Sequence, residues 1–564
     1  MMRQPLIEIR DLEVEARTDA GRTIRIIKGI SLSVAPGEIL ALIGESGSGK
    51  TTTALTLMGY TRPGCAITGG AVLLDGRDIL TMSEQERRRL RGTEIAYVPQ
   101  SAAAAFNPAR RLIDQVVEVA DIHKLMPRDE ARSRAMALFR TLALPDPDRI
   151  GERYPHQVSG GQLQRLAAAM ALIGGPRLMI FDEPTTALDV TTQIEVLRAF
   201  KDVLRQDAMA GVYVSHDLAV VAQIADRIAV LKDGAVQEEG LTEDILYRPS
   251  HAYTRELLAA FEPVAYAATT PAAAAKTTPR RPPVLEVKGI LAGYGPRDRA
   301  GLPGKTVLLD VSCQVERGRN LGIIGESGSG KSTLARVMAG LLSPARGQVL
   351  LDGRELEPLA ANRRKEELRR MQIVFQLADT ALNPARSVDD ILSRPLTFYH
   401  GMSGAARETR VRDLLDMVKL PVALRHRMPG ELSGGQKQRV NLARALAAEP
   451  DVILCDEITS ALDTVVAAAI LELLKELQRE LRLSYVFISH DLSTVQAICD
   501  DVMVMRHGER VELLANAALP HGARHPYSRL LFASVPRLDP GWLDSLPIEI
   551  TQADRDNPIS ETSS

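Results

Sequence analysis

The feature that most constrains this chain is an internal repeat. Four motifs occur twice in the same order: GESGSGK from Gly44 and Gly325, SGGQ from Ser159 and Ser433, ALD from Ala187 and Ala461, and SHDL from Ser215 and Ser489. The interval from SGGQ to the next acidic pair is 24 residues in both copies, from Ser159 to Glu183 and from Ser433 to Glu457. A constant interval indicates a rigid core common to both copies, so the sequence predicts two similar domains.

The repeat sets the expected domain boundaries. The first domain is expected at residues 1–261 and the second at residues 284–535. Residues 262–283 between them, EPVAYAATTPAAAAKTTPRRPP, are rich in Ala, Pro and Thr and are typical of a linker. The polar residues 536–564 are expected to lack structure.

Short apolar runs that end in functional motifs indicate the fold class. LMIFDE at 178–183 and VILCDE at 452–457 end in acids, and EILALIG at 38–44 runs into a glycine-rich turn. Continuous apolar runs that alternate with helical stretches favour an α/β fold with a largely parallel sheet. Ligands bind beyond the carboxyl ends of such strands, which is where these motifs lie.

The pattern G-x-x-x-x-G-K-[ST] predicts a phosphate-binding loop, or P-loop, in each copy. Glycines let the backbone curl around phosphates, the Lys reaches the β- and γ-phosphates, and the final hydroxyl binds Mg²⁺. The predicted nucleotide-binding residues are Gly44, Glu45, Ser46, Gly47, Ser48, Gly49, Lys50, Thr51 and Thr52 in the first copy, and Gly325, Glu326, Ser327, Gly328, Ser329, Gly330, Lys331, Ser332 and Thr333 in the second.

Polar residues at the strand ends predict the rest of a hydrolytic site. The first acid of each DE pair suits Mg²⁺, and the second suits a general base that activates water. The expected catalytic residues are Glu183, Glu457, His216, His490, Gln100 and Gln376. The expected Mg²⁺ ligands are Thr51, Ser332, Asp182 and Asp456, with Gln100 and Gln376 as candidates that sense either the γ-phosphate or the metal.

SGGQ precedes a helical pattern in both copies, so it predicts a second anion-binding site per domain. Two phosphate sites for one nucleotide suggest that SGGQ of one copy covers the ATP held by the P-loop of the other, so that two ATP molecules lie between the copies. The residues expected to do so are Ser159, Gly160, Gly161, Gln162, Ser433, Gly434, Gly435 and Gln436.

Together, the P-loop, Gln loop, SGGQ, DE-terminated strand, ALD loop and His resemble ATP-binding-cassette (ABC) ATPases. The resemblance covers nearly the whole chain outside the linker and tail. It implies a RecA-like core with an antiparallel β subdomain and a helical subdomain in each copy. It also places Asp189 and Asp463 of the ALD loops at the nucleotide, and Tyr294 on adenine where the first copy has Ala16.

Finer features resemble the subfamily that imports peptides, nickel and related solutes. Each Gln is followed seven residues later by Asn-Pro, at Asn107 and Asn383, and the cassettes end in HAYTRELL from His251 and HPYSRLL from His525. The implied partners are two integral membrane permeases and an extracytoplasmic solute-binding protein. The segments after each Gln, 101–110 and 377–386, are expected to contact the permeases through Phe106 and Leu382.

Composition supports this assignment. Lys+Arg is 69 and Asp+Glu is 71, so overall basicity is excluded as a means of binding nucleic acid. No apolar run reaches the roughly 18–20 residues that span a bilayer, and the N-terminus lacks the apolar core of a signal peptide. The resemblance to the import subfamily implies a peripheral protein at the cytoplasmic face of the bacterial inner membrane, and the absence of a spanning segment agrees with this expectation. The alternative is a soluble tandem ATPase of translation or DNA repair, which the short, Ala/Pro-rich linker disfavours.

Overall fold

The computed structural model describes residues 4–17, 21, 23–185, 188–206, 208–261, 283–460 and 462–546. It divides into two units: residues 1–261 together with 534–564, and residues 262–533. The expected linker at 262–283 lies outside the described residues except for Pro283. Below, the first cassette is the unit that contains Lys50, and the second cassette is the unit that contains Lys331.

The first cassette combines a mainly parallel sheet with an antiparallel one. Its strands are β1 (Ile7–Arg17), β2 (Thr23–Val34), β3 (Ile39–Ile43), β4 (Cys65–Leu74), β5 (Arg77–Asp78), β6 (Ile95–Val98), β7 (Leu178–Asp182), β8 (Ala210–Val214), β9 (Arg227–Lys232) and β10 (Ala235–Leu241). The antiparallel sheet has the order β2-β1-β4-β5, and the core sheet has the order β10-β9-β3-β8-β7-β6. In the core sheet, β10 runs antiparallel to β9 while the other neighbours pair in parallel.

Helices surround this core. They are α1 (Lys50–Thr56), α2 (Glu84–Leu90), α3 (Ala102–Ala105), α4 (Leu112–Val116), α5 (Glu118–His123), α6 (Arg128–Thr141), α7 (Gly160–Leu172), α8 (Val190–Gln206), α9 (Leu218–Ile224), α10 (Thr242–Tyr247) and α11 (Ala252–Phe261). The run α3–α7 lies between β6 and β7. The length of the repeat varies between the P-loop and SGGQ, and most of the difference lies before β6, since Lys50 to Gln100 spans 50 residues and Lys331 to Gln376 spans 45.

The second cassette repeats this order. Its strands are β11 (Leu285–Arg297), β12 (Pro303–Val315), β13 (Asn320–Ile324), β14 (Arg346–Leu351), β15 (Arg354–Glu355), β16 (Met371–Val374), β17 (Val452–Asp456), β18 (Ser484–Ile488), β19 (Asp501–Arg506) and β20 (Glu509–Ala515). Its helices are α12 (Lys331–Met338), α13 (Lys365–Arg370), α14 (Ala378–Ala381), α15 (Val388–His400), α16 (Gly404–Met417), α17 (Gly434–Leu446), α18 (Thr464–Leu481), α19 (Leu492–Ile498) and α20 (Pro526–Ala533). The sheet orders match, β12-β11-β14-β15 and β16-β17-β18-β13-β19-β20. The predicted α/β class is therefore confirmed.

The register of the core strands brings the motifs to one edge. Asp182 on β7 pairs with Val214 on β8, and Leu42 on β3 pairs with the same residue. Because these strands are parallel, the turns that follow β3, β7 and β8 emerge side by side. Every residue of β3, β7 and β8 is buried, which explains why their sequences are continuous apolar runs rather than alternating ones.

The end of the chain differs from the expectation. Residues 536–564 were expected to lack structure, but residues 536–546 are described and include α21 (Trp542–Ser545), which belongs to the first cassette. Trp542 and Leu543 are buried and anchor this segment. The expectation was wrong because it was based on the polar residues that follow them. Residues 547–564 lie outside the described residues. Among the described helices, none combines the length and the apolar character needed to cross a membrane.

Candidate functional site

The P-loop turns have the same unusual backbone in both cassettes. In the first, φ is 146° at Gly44, 83° at Gly47 and 99° at Gly49, and the second has 149°, 84° and 102° at the matching glycines. A Cβ on Gly44 would lie 2.1 Å from the carbonyl oxygen of Leu231. The loop can therefore form only with glycine at this position.

The P-loop lysines are buried inside these turns. Lys50 Nζ donates to the carbonyl oxygens of Gly44 at 2.7 Å and Glu45 at 2.8 Å. Lys331 Nζ donates to the matching carbonyls of Gly325 at 2.8 Å and Glu326 at 2.7 Å. An ammonium group held in this way places a fixed positive charge within the loop, and anions such as phosphates are attracted to it.

A buried serine hydroxyl in each loop tests whether phosphate fits. Ser48 and Ser329 are 4% and 3% exposed, and the Oγ atom of each has no hydrogen-bond partner among the described residues. Buried polar atoms in native proteins almost always have a partner, and exceptions mark functional sites or bound groups. A phosphate oxygen would accept from this hydroxyl, so the residues present fit a nucleotide phosphate.

Each P-loop hydroxyl meets the first acid of the DE pair. Thr51 Oγ1 donates to Asp182 Oδ1 at 2.8 Å, and Ser332 Oγ donates to Asp456 Oδ1 at 3.0 Å. Burial raises the pKa of Asp456, and the hydrogen bond from Ser332 offsets only part of that rise. A hydroxyl beside a carboxylate offers the hard oxygen ligands that Mg²⁺ prefers, so these two pairs fit the predicted metal site.

The second acid of each pair is held by the predicted Gln and His. Gln100 Nε2 donates to Glu183 Oε2 at 2.9 Å, and His216 Nδ1 lies 3.4 Å from Glu183 Oε1. In the second cassette, Gln376 Nε2 donates to Glu457 Oε2 at 2.8 Å, and His490 Nδ1 lies 3.5 Å from the same oxygen. The structure therefore brings all six predicted catalytic residues together in two clusters, although the Gln side chains contact the general-base candidates rather than the aspartates.

Electrostatics in this cluster favour a charged carboxylate. The hydrogen bond from His490 lowers the pKa of Glu457 although burial opposes it. Burial by itself would lower the pKa of His490, but the hydrogen bond to Glu457 and the charge of that carboxylate outweigh burial and raise it. The pKa of His216 is raised for the same reasons by Glu183. An ionised Glu is the form that can accept a proton from water.

Both general-base candidates also have a strained backbone. The φ angle is 47° at Glu183 and 50° at Glu457, in the left-handed region that residues with a Cβ rarely adopt. Such a conformation costs about 1–3 kcal/mol and is found mostly at functional sites. The backbone N–H of each residue donates at 2.9 Å to the neighbouring strand, at Val214 O and Ile488 O, which holds the turn in place.

SGGQ caps a helix in each cassette. Ser159 Oγ accepts from the N–H of Gln162 at 3.3 Å, and the Gln162 side chain accepts from the N–H of Ser159 at 3.1 Å. Ser433 and Gln436 form the same reciprocal pair at 3.3 and 3.0 Å. Within each cassette, the hydrogen bonds described for these residues do not reach the P-loop.

The second glycine of SGGQ and the ALD aspartate also have a role within the cassette. A Cβ on Gly161 would lie 2.0 Å from Thr192 Cγ2, so α7 packs closely against α8. Asp189 Oδ1 accepts from the N–H of Thr192 at 3.0 Å, and Asp463 Oδ1 accepts from the N–H of Val466 at 3.1 Å. Nucleotide contacts by Asp189 and Asp463 therefore remain a prediction.

The adenine side differs between the cassettes. Tyr294 is 38% exposed, and its hydroxyl lies 3.3 Å from Thr333 Oγ1 and accepts from Arg336 Nη1 at 3.1 Å. At the corresponding place on β1, Ala16 pairs with Ile24, whose side chain is 54% exposed. An aromatic ring is thus available near the second P-loop, and an aliphatic side chain near the first.

Three tyrosines at these sites were not predicted. Tyr97 donates to Asp182 Oδ2 at 2.7 Å, and the N–H groups of Glu45 and Glu326 donate to the hydroxyls of Tyr253 at 3.2 Å and Tyr527 at 3.0 Å. The recurring H-x-Y at 251–253 and 525–527 is a signal that could have identified the last two. Tyr97 occurs in the first cassette alone, because β16 has Ile373 at that position, so the repeat gave no signal for it.

These observations define the chain as a pair of P-loop cassettes, each with a phosphate-binding loop, a hydroxyl–aspartate pair and a Glu–Gln–His cluster. The ABC transporter family matches residues 27–186 and 308–460, and the chain belongs to this family. The oligopeptide/dipeptide transporter C-terminal region matches residues 237–284 and 511–559. The resemblance inferred from the motifs is confirmed, and the chain is an ATP-hydrolysing cassette protein.

Relatives match this chain over nearly its whole length. The chain is 37% identical over 540 residues to a peptidoglycan transport ATP-binding protein of Agrobacterium fabrum, covering 94% of this chain and 96% of the relative. It is 36% identical over 552 residues to a glutathione import ATP-binding protein of Salmonella choleraesuis, covering 92% and 88%. The equivalent protein of Escherichia coli is 35% identical over 568 residues, covering 95% and 90%.

Proposed function

We propose that this chain is the ATP-hydrolysing subunit of an importer for peptides or a related small solute such as glutathione, a nickel complex or an opine. The observation that carries the proposal is that both cassettes have a complete Glu–Gln–His cluster beside a P-loop. The C-terminal region match and the names of the relatives, one a peptidoglycan transport protein and one a glutathione import protein, support the solute class. The soluble alternative in translation or DNA repair has no such support.

In this proposal, each P-loop holds the phosphates of one ATP. Lys50 or Lys331 neutralises phosphate charge, and Ser48 or Ser329 donates its hydroxyl to a phosphate oxygen. Mg²⁺, when bound by the Thr51–Asp182 or Ser332–Asp456 pair, would supply further charge neutralisation at the phosphates. Glu183 or Glu457 accepts the proton of the attacking water, while Gln and His hold the carboxylate in position.

The proposal includes a paired arrangement of the two cassettes. SGGQ of each cassette covers the ATP held by the P-loop of the other, and Asp189 and Asp463 lie beside it. Two permease subunits carry the chain at the cytoplasmic face of the bacterial inner membrane, and a solute-binding protein delivers the cargo. In this proposal the two domains have the expected boundaries, 1–261 and 284–535, except that residues 534 and 535 cluster with the first unit.

Disulfide cross-linking tests the pairing. Ser46→Cys combined with Ser433→Cys should cross-link when ATP is added to a Glu183→Gln, Glu457→Gln chain, because ATP would bring the first P-loop and the second SGGQ together. The matched control is Ser46→Cys with Ser159→Cys, which lies in the same cassette and should not cross-link. Cross-linking of the control alone would contradict the pairing. Stimulation of ATPase activity by co-purified permeases and solute-loaded binding protein tests the import function.

A further inference from the structure

A surface on the first cassette binds the last described residues of the chain. Arg198 and Lys201 project from α8, and Gln223 projects from α9. All three contact residues 537–546, which follow the second cassette in sequence but belong to the first unit. We call residues 537–546 the C-terminal strap.

Gln223 makes the most specific of these contacts. Its side chain is 2% exposed, and Nε2 donates to the carbonyl oxygens of Arg537 at 2.6 Å and Asp539 at 2.9 Å. Its Oε1 accepts from the N–H of Leu543 at 2.9 Å. Both ends of a buried amide therefore bind the peptide backbone of the strap. Without the strap the same amide would exchange these protein partners for water, with a modest net loss of stability for each hydrogen bond.

Charge and apolar burial complete the surface. Arg198 Nη2 donates to the carbonyl oxygens of Leu543 at 3.1 Å and Leu546 at 2.7 Å, near the carboxyl end of α21. Lys201 Nζ lies 2.8 Å from the Asp544 carboxylate. Trp542 is 5% exposed and Leu543 is fully buried. The strap thus has two apolar anchors flanked by backbone and ionic contacts.

The second cassette does not reproduce this surface. The repeat aligns Arg198, Lys201 and Gln223 with Glu472, Lys475 and Ala497. There, Lys475 Nζ donates to Glu472 Oε1 at 2.8 Å on the same helix. Replacing Arg by Glu and Gln by Ala removes the donors that hold the strap carbonyls. The surface is therefore a property of the first cassette and not of the shared fold.

We propose that Arg198, Lys201 and Gln223 form a peptide-docking site whose occupant is the C-terminal strap of the same chain, and that the docked strap holds α9 in place. α9 begins at Leu218, two residues after His216. Within α9, the Gln223 side chain also donates from Nε2 to the carbonyl oxygen of Ala219, one turn earlier, at 3.2 Å. The chain end thereby completes the first cassette beside His216, while none of the residues that the structure describes gives α19 an equivalent support.

The chain contains one tryptophan, Trp542, so its intrinsic fluorescence reports the strap directly. In the full-length protein, Trp542 should emit at short wavelength and resist quenching by acrylamide. Gln223→Leu should increase the undocked fraction by about 2- to 13-fold for each hydrogen bond lost. Lys201→Ala should increase it by at most about 5-fold, because Asp544 is largely exposed. The matched control is Lys475→Ala, which should leave the emission unchanged. Ready quenching of Trp542 in the unmodified protein would overturn the proposal, as would an equal response to Lys475→Ala.

Hydrogen exchange tests the effect on α9. A chain that ends at Ala533 should exchange faster than the full-length protein at residues 218–224 but not at residues 492–498, which form the matching helix α19. A chain that ends at Leu546 keeps the strap and serves as the control. Equal acceleration of both helices, or of neither, would overturn the proposal. Trp542 protection that falls on dilution, in a protein of dimeric mass, would show instead that the strap docks on a second copy.

Discussion

The two cassettes agree closely where phosphate is bound and differ where other parts of the nucleotide site lie. The ammonium-to-carbonyl distances of Lys50 and Lys331 are 2.7–2.8 Å in both loops. Glu183 contacts Gln100 and His216. Glu457 contacts the corresponding Gln376 and His490. Duplication has thus preserved the atoms that would act on phosphate and water.

The differences lie around this common centre. Tyr97 binds the second oxygen of Asp182, whereas Ile373 offers no donor to Asp456. The second cassette has Tyr294 near its P-loop, and the first has Ala16 at the same place. The comparison shows that the two sites have the same predicted reacting groups but differ at the predicted adenine side and in the donors to the aspartate that is predicted to bind Mg²⁺.

The largest expected effect tests the equality of the reacting groups. Glu183→Gln with Glu457→Gln should lower ATP turnover by about 10²- to 10⁴-fold, because the general base is lost at both sites. ATP binding should be retained, since neither Glu is a P-loop residue. Steady-state ATPase rates and equilibrium binding of a fluorescent ATP analogue measure the two quantities.

The single variants sharpen this comparison. If the two sites contribute equally, Glu183→Gln and Glu457→Gln should leave the same residual rate, and different residual rates would show that one site dominates. A double variant that hydrolyses ATP at the normal rate would contradict the assignment of both residues as general bases.

A smaller effect is expected from the adenine side. Stacking of a base on an aromatic ring is worth about 1–3 kcal/mol, or about 5- to 150-fold in affinity. Lys331→Ala leaves the first site and Lys50→Ala leaves the second, so the first variant should bind ATP more weakly and discriminate less against GTP. Titration of nucleotide into each variant measures both quantities.

Exchanging the two residues gives the control for this prediction. Tyr294→Ala in the Lys50→Ala chain should weaken binding, and Ala16→Tyr in the Lys331→Ala chain should strengthen it. Equal affinity and equal ATP/GTP preference in the starting variants would instead indicate that an apolar side chain near the first strand, such as Ile24 or Ile26, covers the base.

Much of the site could be predicted because its residues recur. The P-loop and the DE pair each occur once per copy, at the ends of strands. In the first cassette, the parallel pairing of β3, β7 and β8 then brings both motifs to one edge of the core sheet. Single residues gave no such signal. Tyr97 lacks a counterpart, and its hydroxyl reaches Asp182 only because β6 and β7 are neighbours in the sheet.

Predictions from the sequence were wrong where the role of a residue depends on whether its side chain is buried. Phe106 and Leu382 were expected to contact the permeases, but they are 5% and 2% exposed and belong to the core. Replacing either with Asp would destabilise its cassette rather than probe a surface. Leu377, at the start of the second of these segments, is 49% exposed and is the better position for that test. The strap was missed because Trp542 and Leu543 occur only a few residues before a markedly polar end of the chain.

The smallest effect concerns Tyr97. Thr51 and Tyr97 each donate to one oxygen of Asp182, whereas Ser332 is the donor described for Asp456. A hydrogen bond to a buried carboxylate stabilises its charged form, which is the form that binds Mg²⁺. In the Lys331→Ala chain, Tyr97→Phe should therefore raise the Mg²⁺ concentration needed for half-maximal nucleotide binding by about 2- to 13-fold.

The second cassette supplies the reverse experiment. Ile373→Tyr in the Lys50→Ala chain would offer Asp456 the donor that it lacks and should lower the half-maximal Mg²⁺ concentration by a similar factor. Because burial raises the pKa of Asp456, the added hydroxyl should also favour its ionised form. Tyr97→Phe tests the opposite change at Asp182, and thermal unfolding of each variant separates this effect from a loss of stability. If Tyr97→Phe leaves the Mg²⁺ dependence unchanged, the hydroxyl is a packing feature of the strand, and the two metal-binding aspartates are equivalent.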